Sequence, residues 1–294
     1  MFLLHAIVLL SAALLFAAPQ KSLPDRASLL AVVKYRPNGT LISVPVRVDS
    51  SRVLWFVLDS GARRTIVDRA VARGLGLKSL AVSRGSGVGH GTFRQDRSEP
   101  IVISIGAVSM PVSEPWLIDL QHVGTKQRED GLLGADLFER YVIRIDPIAH
   151  TIAFYDPKKF TYVGTGATVS LASPHDRLYT EMILTIGSKS VHRRMRVDTG
   201  SEDAASDNLV RQSPTRRRSL QGIGLGTPYY DYSGVFDSVR IGPYSIRHSW
   251  GASNDHPAFG MEIMRRFTLT FDAPGKRLYL EPNQHLNEPV PSPL

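Results

Sequence analysis

The chain contains no cysteine, and this absence excludes a disulfide scaffold, a thiol nucleophile, a cysteine-ligated zinc site and an iron–sulfur cluster. Its nine histidines show no H-E-x-x-H or similar ligand spacing, so we expect no bound metal. The G-x-S-x-G elbow of a serine hydrolase is missing as well. These absences favour a chemistry that needs no metal, thiol or cofactor.

Acidic residues are outnumbered, with 27 Asp and Glu against 35 Lys and Arg and a formal net charge of +8. Most of the basic residues are scattered, and the one run, Arg216 to Arg218, lies in a polar stretch typical of a solvated loop. No motif for binding DNA or RNA accompanies that run, so we expect no nucleic-acid partner. The length of 294 residues suits one large domain or two of modest size.

Long apolar runs are missing after residue 18. Before it, Phe2 to Ala18 contains no Lys, Arg, Asp or Glu, and residues 1–18 are typical of a secretory signal that ends in small residues. A retained N-terminal membrane anchor is the alternative, because the run is close to the minimum spanning length of about 17 residues. In either case we expect the folded part to be exported, either to the periplasm or by secretion.

Most of the remaining chain is a long internal repeat. Four landmarks recur in the same order: Asp59-Ser60-Gly61 with Asp198-Thr199-Gly200, segment 87–92 with 222–227, Ile105-Gly106 with Ile241-Gly242, and segment 131–157 with 257–283. Such a long repeat predicts two lobes related by a pseudo-twofold axis. We expect the lobes at 29–157 and 177–283, a linker at 158–176, and an extended or disordered proline-rich tail at 284–294.

The local patterns predict an all-β fold with minor helix. Runs rich in Val, Ile and Leu indicate strands, and Asn38-Gly39 between two of them is a hairpin signal. Apolar residues from Ile66 to Leu75 recur at helical spacing, and residues 135–140 predict a second short helix. Residues 207–212 are the expected counterpart of the first helix in the second lobe.

Two matched carboxylates carry the candidate chemistry. One D-[ST]-G triplet alone is a weak signal, because such residues often cap turns. Two triplets at equivalent repeat positions are more informative, since a pseudo-twofold axis would bring Asp59 and Asp198 together. Two adjacent carboxyls cannot both ionise cheaply, so the pair would hold one proton. The ionised partner could then activate a water while the protonated one polarises an amide carbonyl.

These motifs resemble those of the aspartic proteases in their two-lobed, pepsin-like form, and the residues around them are similar to those of bacterial retropepsin-like domains. The resemblance covers about Leu30 to Asn283. It rests on the two triplets and on the apolar-apolar-Gly motifs at Leu132-Leu133-Gly134 and Ala258-Phe259-Gly260. It implies the acid-protease fold, with two similar β-barrel-like lobes and the active site between them.

The resemblance also implies roles for individual residues. Asp59 and Asp198 would be catalytic, and the residues that support the dyad would be Ser60, Gly61, Thr199, Gly200 and Ser201. The flap over the substrate cleft would be Gly87, Val88, Gly89, His90 and Gly91. Within this pattern, Arg196 stands where the family motif has an apolar residue, and His90 stands where a pepsin-like flap has tyrosine.

The sequence therefore predicts an exported, monomeric aspartic endopeptidase that acts on peptides or proteins without a cofactor. Two alternatives stay open. One is an exported, non-catalytic protein that binds peptides in the same cleft. The other is a protease that is active as a homodimer of first lobes.

Overall fold

The computed structural model describes residues 26–121, 126–174, 176–221 and 224–290, so the expected signal segment 1–18 lies outside the described residues. Strands make up most of the regular structure, which confirms the all-β class with minor helix. The helices are α1 (Arg69–Leu75), α2 (Ala135–Arg140), a 3-10 helix (Asn208–Gln212) and α3 (Met261–Met264). None of the helices in the described part is both long and apolar enough to cross a bilayer.

The strands follow the repeat in two sets. Up to residue 157 they are β1 (Leu29–Lys34), β2 (Arg36–Asn38), β3 (Leu41–Val48), β4 (Leu54–Leu58), β5 (Ile66–Asp68), β6 (Ser79–Gly85), β7 (Phe93–Ser98), β8 (Ile101–Ile105), β9 (Val108–Val112), β10 (Trp116–Ile118), β11 (Gly131–Leu133), β12 (Val142–Asp146) and β13 (Thr151–Tyr155). After it they are β14 (Ala167–Ser170), β15 (Tyr179–Ile186), β16 (Lys189–Val197), β17 (Ala205–Ser206), β18 (Arg217–Gln221), β19 (Tyr229–Ile241), β20 (Tyr244–Ala252), β21 (Ala258–Phe259), β22 (Phe267–Asp272) and β23 (Arg277–Pro282).

A six-stranded sheet joins the two lobes, with the order β1-β13-β12-β22-β23-β14. Strands β12 and β22 pair at its centre, where Arg144 lies opposite Thr270. Each half contributes three strands in mirrored order, as the repeat predicts. Strand β14 lies inside the segment 158–176 that was expected to be a linker, and it pairs with β23 at the edge of this sheet.

The second lobe closes into a barrel, because β15 pairs with both β16 and β19 in the series β15-β16-β21-β17-β20-β19. In the first lobe the counterparts of the long strands β19 and β20 are interrupted. Strands β7 and β8 are separated at Pro100, and β9 and β10 are separated before Trp116 at Pro115. Proline lacks the N–H that a continuous ladder needs, which accounts for both breaks.

The first predicted helix starts later than its apolar spacing suggests. Residues Ile66–Asp68 form β5, which pairs with β10 and β11. The carboxylate of Asp68 then accepts hydrogen bonds from the backbone N–H groups of Ala70 and Val71 and caps α1. The helix ends at Gly76, whose φ of 74° is the left-handed conformation common at helix ends.

The described part of the tail is neither extended nor disordered. The Arg266 side chain is fully buried, and its guanidinium donates hydrogen bonds to the carbonyls of His285, Leu286 and Glu288. Val290 is also buried. A buried cation needs several acceptors, and the tail supplies them by folding onto the second lobe.

Candidate active site

Each aspartate follows directly after a strand whose last residue is buried, Asp59 after β4 and Asp198 after β16. A second strand of the same lobe runs parallel to each of these, β11 beside β4 and β21 beside β16. The backbone N–H of Asp59 donates to the Leu133 carbonyl at 2.9 Å, and that of Asp198 donates to the Phe259 carbonyl at 3.0 Å. The two triplets therefore leave their lobes at equivalent points.

The glycine that ends each apolar-apolar-Gly motif allows a close backbone crossing. A Cβ on Gly134 would lie under 3.0 Å from the backbone of Arg64, and one on Gly260 would meet the carbonyls of Ser201 and Asp203 equally closely. Any side chain at these positions would push away the loop that follows the aspartate. The motif therefore keeps each triplet loop packed against its own lobe.

The hydroxyls of the two triplets form a reciprocal brace between the lobes. The Ser60 hydroxyl donates to the Val197 carbonyl at 2.6 Å, and the Thr199 hydroxyl donates to the Leu58 carbonyl at 2.7 Å. The same two oxygens accept hydrogen bonds across the axis, from the Thr199 N–H at 3.1 Å and the Ser60 N–H at 2.9 Å. All four residues of this brace are buried: Leu58, Ser60, Val197 and Thr199. The brace therefore fixes the position of each triplet relative to the other.

The carboxyl groups meet at the axis, each against the glycine of the opposite triplet. A Cβ on Gly61 would lie under 3.0 Å from the Asp198 carboxyl atoms, and a Cβ on Gly200 would lie equally close to those of Asp59. The space that the missing side chains leave is therefore occupied by the opposing carboxyl. Glycine is required here by contact across the axis.

The environment of Asp59 favours a retained proton. Burial and the neighbouring charge of Asp198 raise the pKa of Asp59 to about 7, although the N–H groups of Ala62 and Gly61 act in the opposite direction. Those two N–H groups donate to the same oxygen, Oδ1, at 3.0 and 2.9 Å. The pair can therefore hold one proton at mildly acidic pH, as general acid–base chemistry requires.

Arg196 contacts the dyad directly, a contact that the sequence did not predict. Its Nη2 donates to Oδ2 of Asp198 at 2.8 Å, and both side chains are nearly buried. Oδ1 of the same carboxylate accepts a hydrogen bond from the Gly200 N–H at 3.2 Å. The only available signal was the unusual arginine two residues before an aspartate, which did not reveal where its side chain points.

Ser201 takes a different place from the one that its predicted supporting role suggests. Its hydroxyl accepts a hydrogen bond from the Asp203 N–H at 3.2 Å, and in the described part of the chain it makes none to Asp198. The backbone of Ser201 contributes instead, because its carbonyl accepts a hydrogen bond from the Met261 N–H at 2.8 Å. Its counterpart Ala62 makes the same bond with Ala135.

The predicted flap residues 87–91 lie at the tip of a hairpin formed by β6 and β7. The tip contacts the other lobe. The N–H of His90 donates to the Thr227 carbonyl at 2.8 Å, the Thr227 N–H donates back to the His90 carbonyl at 2.9 Å, and the Gly226 N–H donates to the Val88 carbonyl at 2.8 Å. The flap is thus closed by backbone pairing across the two lobes.

The partner of this flap is a second hairpin, formed by β18 and β19. The described residues of its tip, 224–227, belong to the repeat of the glycine-rich segment, so the repeat was a signal for a second flap that the sequence analysis did not use. Tyr229, the first residue of β19 after the turn, packs against His90 with the ring centroids 4.4 Å apart and the ring planes tilted by 52°. The expectation that Arg216 to Arg218 lie in a loop was wrong for two of the three residues, because Arg217 and Arg218 belong to strand β18 and pair with β19. The whole run is exposed, as expected.

No group of three or more His, Asp or Glu side chains that could hold a metal ion occurs among residues 26–121, 126–174, 176–221 and 224–290. The site offers two neighbouring carboxyls, one of them with a raised pKa, and the fold adds two hairpins whose tips pair across the lobes. Two such carboxyls can take a proton from one group and give a proton to another.

Comparison with known proteins agrees with this geometry. Residues 44–137 match a family model described as aspartyl protease. The match includes the first triplet and the motif ending at Gly134, and it stops before the second lobe. No curated protein matches the chain. Together with the two-lobed, all-β architecture, the match confirms the resemblance to aspartic proteases and the acid-protease fold.

Proposed function

We propose that this protein is an exported aspartic endopeptidase in which Asp59 and Asp198 activate a water to hydrolyse peptide bonds. The observation that carries the proposal is the contact of each carboxyl with the glycine of the opposite triplet. The reciprocal brace, the raised pKa of Asp59 and the paired hairpin tips support it. Protease activity in general is also supported by the aspartyl protease match.

The chemistry follows from one proton shared by two carboxyls. In the first step a bond forms between the water oxygen and the carbonyl carbon. The ionised aspartate takes a proton from the water, and the protonated aspartate gives its proton to the carbonyl oxygen. The carbon–nitrogen bond of the tetrahedral intermediate then breaks, and the leaving amine receives a proton from the aspartate that had taken one from water. One hydroxyl of the intermediate returns its proton to the other aspartate as its oxygen re-forms the C=O double bond, so the products are a carboxylic acid and an amine and the dyad again holds one proton.

The two flap hairpins are an argument for a polypeptide as the substrate. An extended peptide presents unpaired backbone N–H and C=O groups, and hairpins beside a cleft can pair with such groups. The two tips are joined by backbone hydrogen bonds at His90 and Thr227, so entry of a chain requires that these bonds open. We propose a monomer that takes up one peptide or protein segment at a time.

Export is the part of the proposal that rests on sequence alone. Residues 1–18 would direct the chain out of the cytoplasm, with an uncleaved membrane anchor as the alternative. Intact-mass measurement of the protein purified from cells tests this directly. A mature chain that has lost about 18 residues supports a cleaved signal, whereas full-length protein in the membrane fraction supports an anchor.

Digestion of a mixed peptide library tests the activity. We expect cleavage between acid pH and about pH 7, with loss of cleavage on addition of a pepstatin-type inhibitor, which mimics the tetrahedral intermediate. Asp59→Asn is the inactive control. If the wild-type protein cleaves no peptide at any pH but retains library peptides on a column, the non-catalytic peptide-binding alternative replaces this proposal.

A further inference from the structure

Arg196 breaks the symmetry of an otherwise twofold site. Alignment of the triplets places Arg196 opposite Val57 of the first lobe, because each stands two residues before its aspartate. Val57 is buried and apolar, whereas Arg196 is a cation in contact with Asp198. The brace and the triplet glycines have counterparts on both sides, but the cation has none.

The ion pair is well placed to act on Asp198. The distance from Nη2 to Oδ2 is 2.8 Å, and the two side chains are only 12% and 10% exposed. Water screens such a pair weakly, so a cation at this distance favours the charged form of the carboxylate strongly. The Gly200 N–H occupies the other oxygen, so both oxygens of Asp198 accept hydrogen bonds.

Asp59 has no comparable partner. Within the described residues no cationic side chain forms an ion pair with it, and both of its hydrogen bonds come from backbone N–H groups to Oδ1. Its Oδ2 is therefore left for a proton or for substrate. Burial and the charge of Asp198 raise the pKa of Asp59, and the charge of Arg196, which forms its ion pair with Asp198, lowers it without cancelling that rise.

We propose that Arg196 is a positioning residue that divides the work of the dyad, by holding Asp198 as the carboxylate that accepts a proton from water while Asp59 keeps the proton that polarises the carbonyl. This inference rests on the proposed peptidase function. The role of Arg196 is exerted through Asp198, since its guanidinium contacts that carboxylate.

The other charged groups near Asp198 do not duplicate this role. Asp59 lies across the axis, and Glu202 and Asp203 follow on the same loop, so all three carry negative charge or a proton. The Glu202 carboxylate accepts a hydrogen bond from the Thr40 N–H at 3.0 Å, and that of Asp203 accepts one from the Ser206 hydroxyl at 3.3 Å. Arg196 therefore provides the cation paired with the dyad.

Replacement of Arg196 by the residue of the first lobe tests the proposal through kinetics. In Arg196→Val both limbs of the profile of kcat/KM against pH should move to higher pH, because loss of a cation disfavours every ionisation of the pair. We expect the acid limb to move by about one to three pH units, with about a tenfold loss of kcat/KM on that limb for each unit. Arg196→Lys keeps the charge and should restore most of the acid limb.

A carboxyl NMR titration of the resting wild-type protein gives a readout that needs no substrate. Near pH 6 we expect the proton shared by the two carboxyls to be on Asp59. A proton on the other carboxyl overturns the inference even if Arg196→Val does not fold, and so do unchanged pH limbs in a folded Arg196→Val. Failure to cleave any peptide, with the expected order of titration, would count against the proposed function and leave the assignment of charges intact.

Discussion

At the scale of single residues, the proposed mechanism requires the two aspartates to act as one unit. Asp59→Asn and Asp198→Asn each keep the size of the side chain but remove the group that titrates. Either change should lower kcat by several orders of magnitude, and the double variant should lose little more, because catalytic groups that act together are not additive. Steady-state kinetics on one cleaved peptide would check this. Additive losses would contradict a shared proton.

Asp59 should also make stability depend on pH. Its folded pKa of about 7 exceeds its ordinary value of 3.8, so the folded protein holds this proton while the unfolded chain releases it. Stability is therefore lost as pH rises from about 4 to 7. Asp59→Asn cannot ionise, so its free energy of unfolding relative to wild type should improve by up to about 4 kcal/mol between pH 4 and pH 8.

Urea unfolding of both proteins at pH 4 and pH 8 measures this difference. The comparison cancels any constant change caused by the new amide, because only the pH-dependent part is used. A relative stability that is the same at both pH values would show that Asp59 is not the carboxyl that holds the proton.

At the scale of elements, the triplet loops depend on glycine in a way that helix α1 does not. A Cβ on Gly61 would collide with the Asp198 carboxyl, whereas one on Gly74 would meet nothing within 4 Å. Gly61→Ala should therefore abolish turnover and lower Tm. Gly74→Ala should leave turnover unchanged and raise stability by up to about 1 kcal/mol, since alanine favours the helix. Equal effects of both changes on activity would contradict the predicted contact.

A disulfide between the two flap tips can be introduced and tested cleanly. The chain has no cysteine of its own, so two introduced cysteines meet no competing thiol. A Cβ on Gly224 would lie 2.9 Å from the Cβ of Val88, so the two tips must move apart by about 1 Å to reach the usual disulfide Cβ–Cβ distance of about 3.8 Å. The double variant Val88→Cys with Gly224→Cys should lose activity on oxidation and regain it with a thiol reductant. The single variant Val88→Cys is the control and should not respond to oxidation.

Rapid cleavage by the oxidised double variant would show that substrate enters without separating the tips. Mass spectrometry must first establish that the disulfide has formed. Such a result would contradict the proposal that the paired tips close the cleft.

Some elements of the fold and site were predictable from the sequence, and others were not. The repeat predicted the two lobes, the facing triplets and the apolar-apolar-Gly motifs, because these features depend on short sequence motifs that occur in both halves of the chain. The contact between Arg196 and Asp198 was not predictable, since a strand position does not determine where a long side chain ends. Nor was the strand β14 inside the expected linker, because its weak pattern gains stability only from pairing with β23.

At the scale of the whole molecule, each chain contains one complete dyad. Both lobes contribute to the six-stranded sheet and to the brace, so the second lobe already occupies the place where a partner subunit would bind. Analytical ultracentrifugation should therefore give the mass of a monomer under conditions in which peptide is cleaved. A dimer whose activity persists in Asp198→Asn would favour the homodimer of first lobes instead.

The unequal residues Val57 and Arg196 have a consequence for how such a site can be encoded. Two identical subunits would place a cation beside both aspartates or beside neither, since every mutation appears twice in a symmetric pair. Joining the halves in one chain frees each half to mutate alone. Specialisation of one carboxyl as acid and the other as base thus becomes heritable as a single codon change.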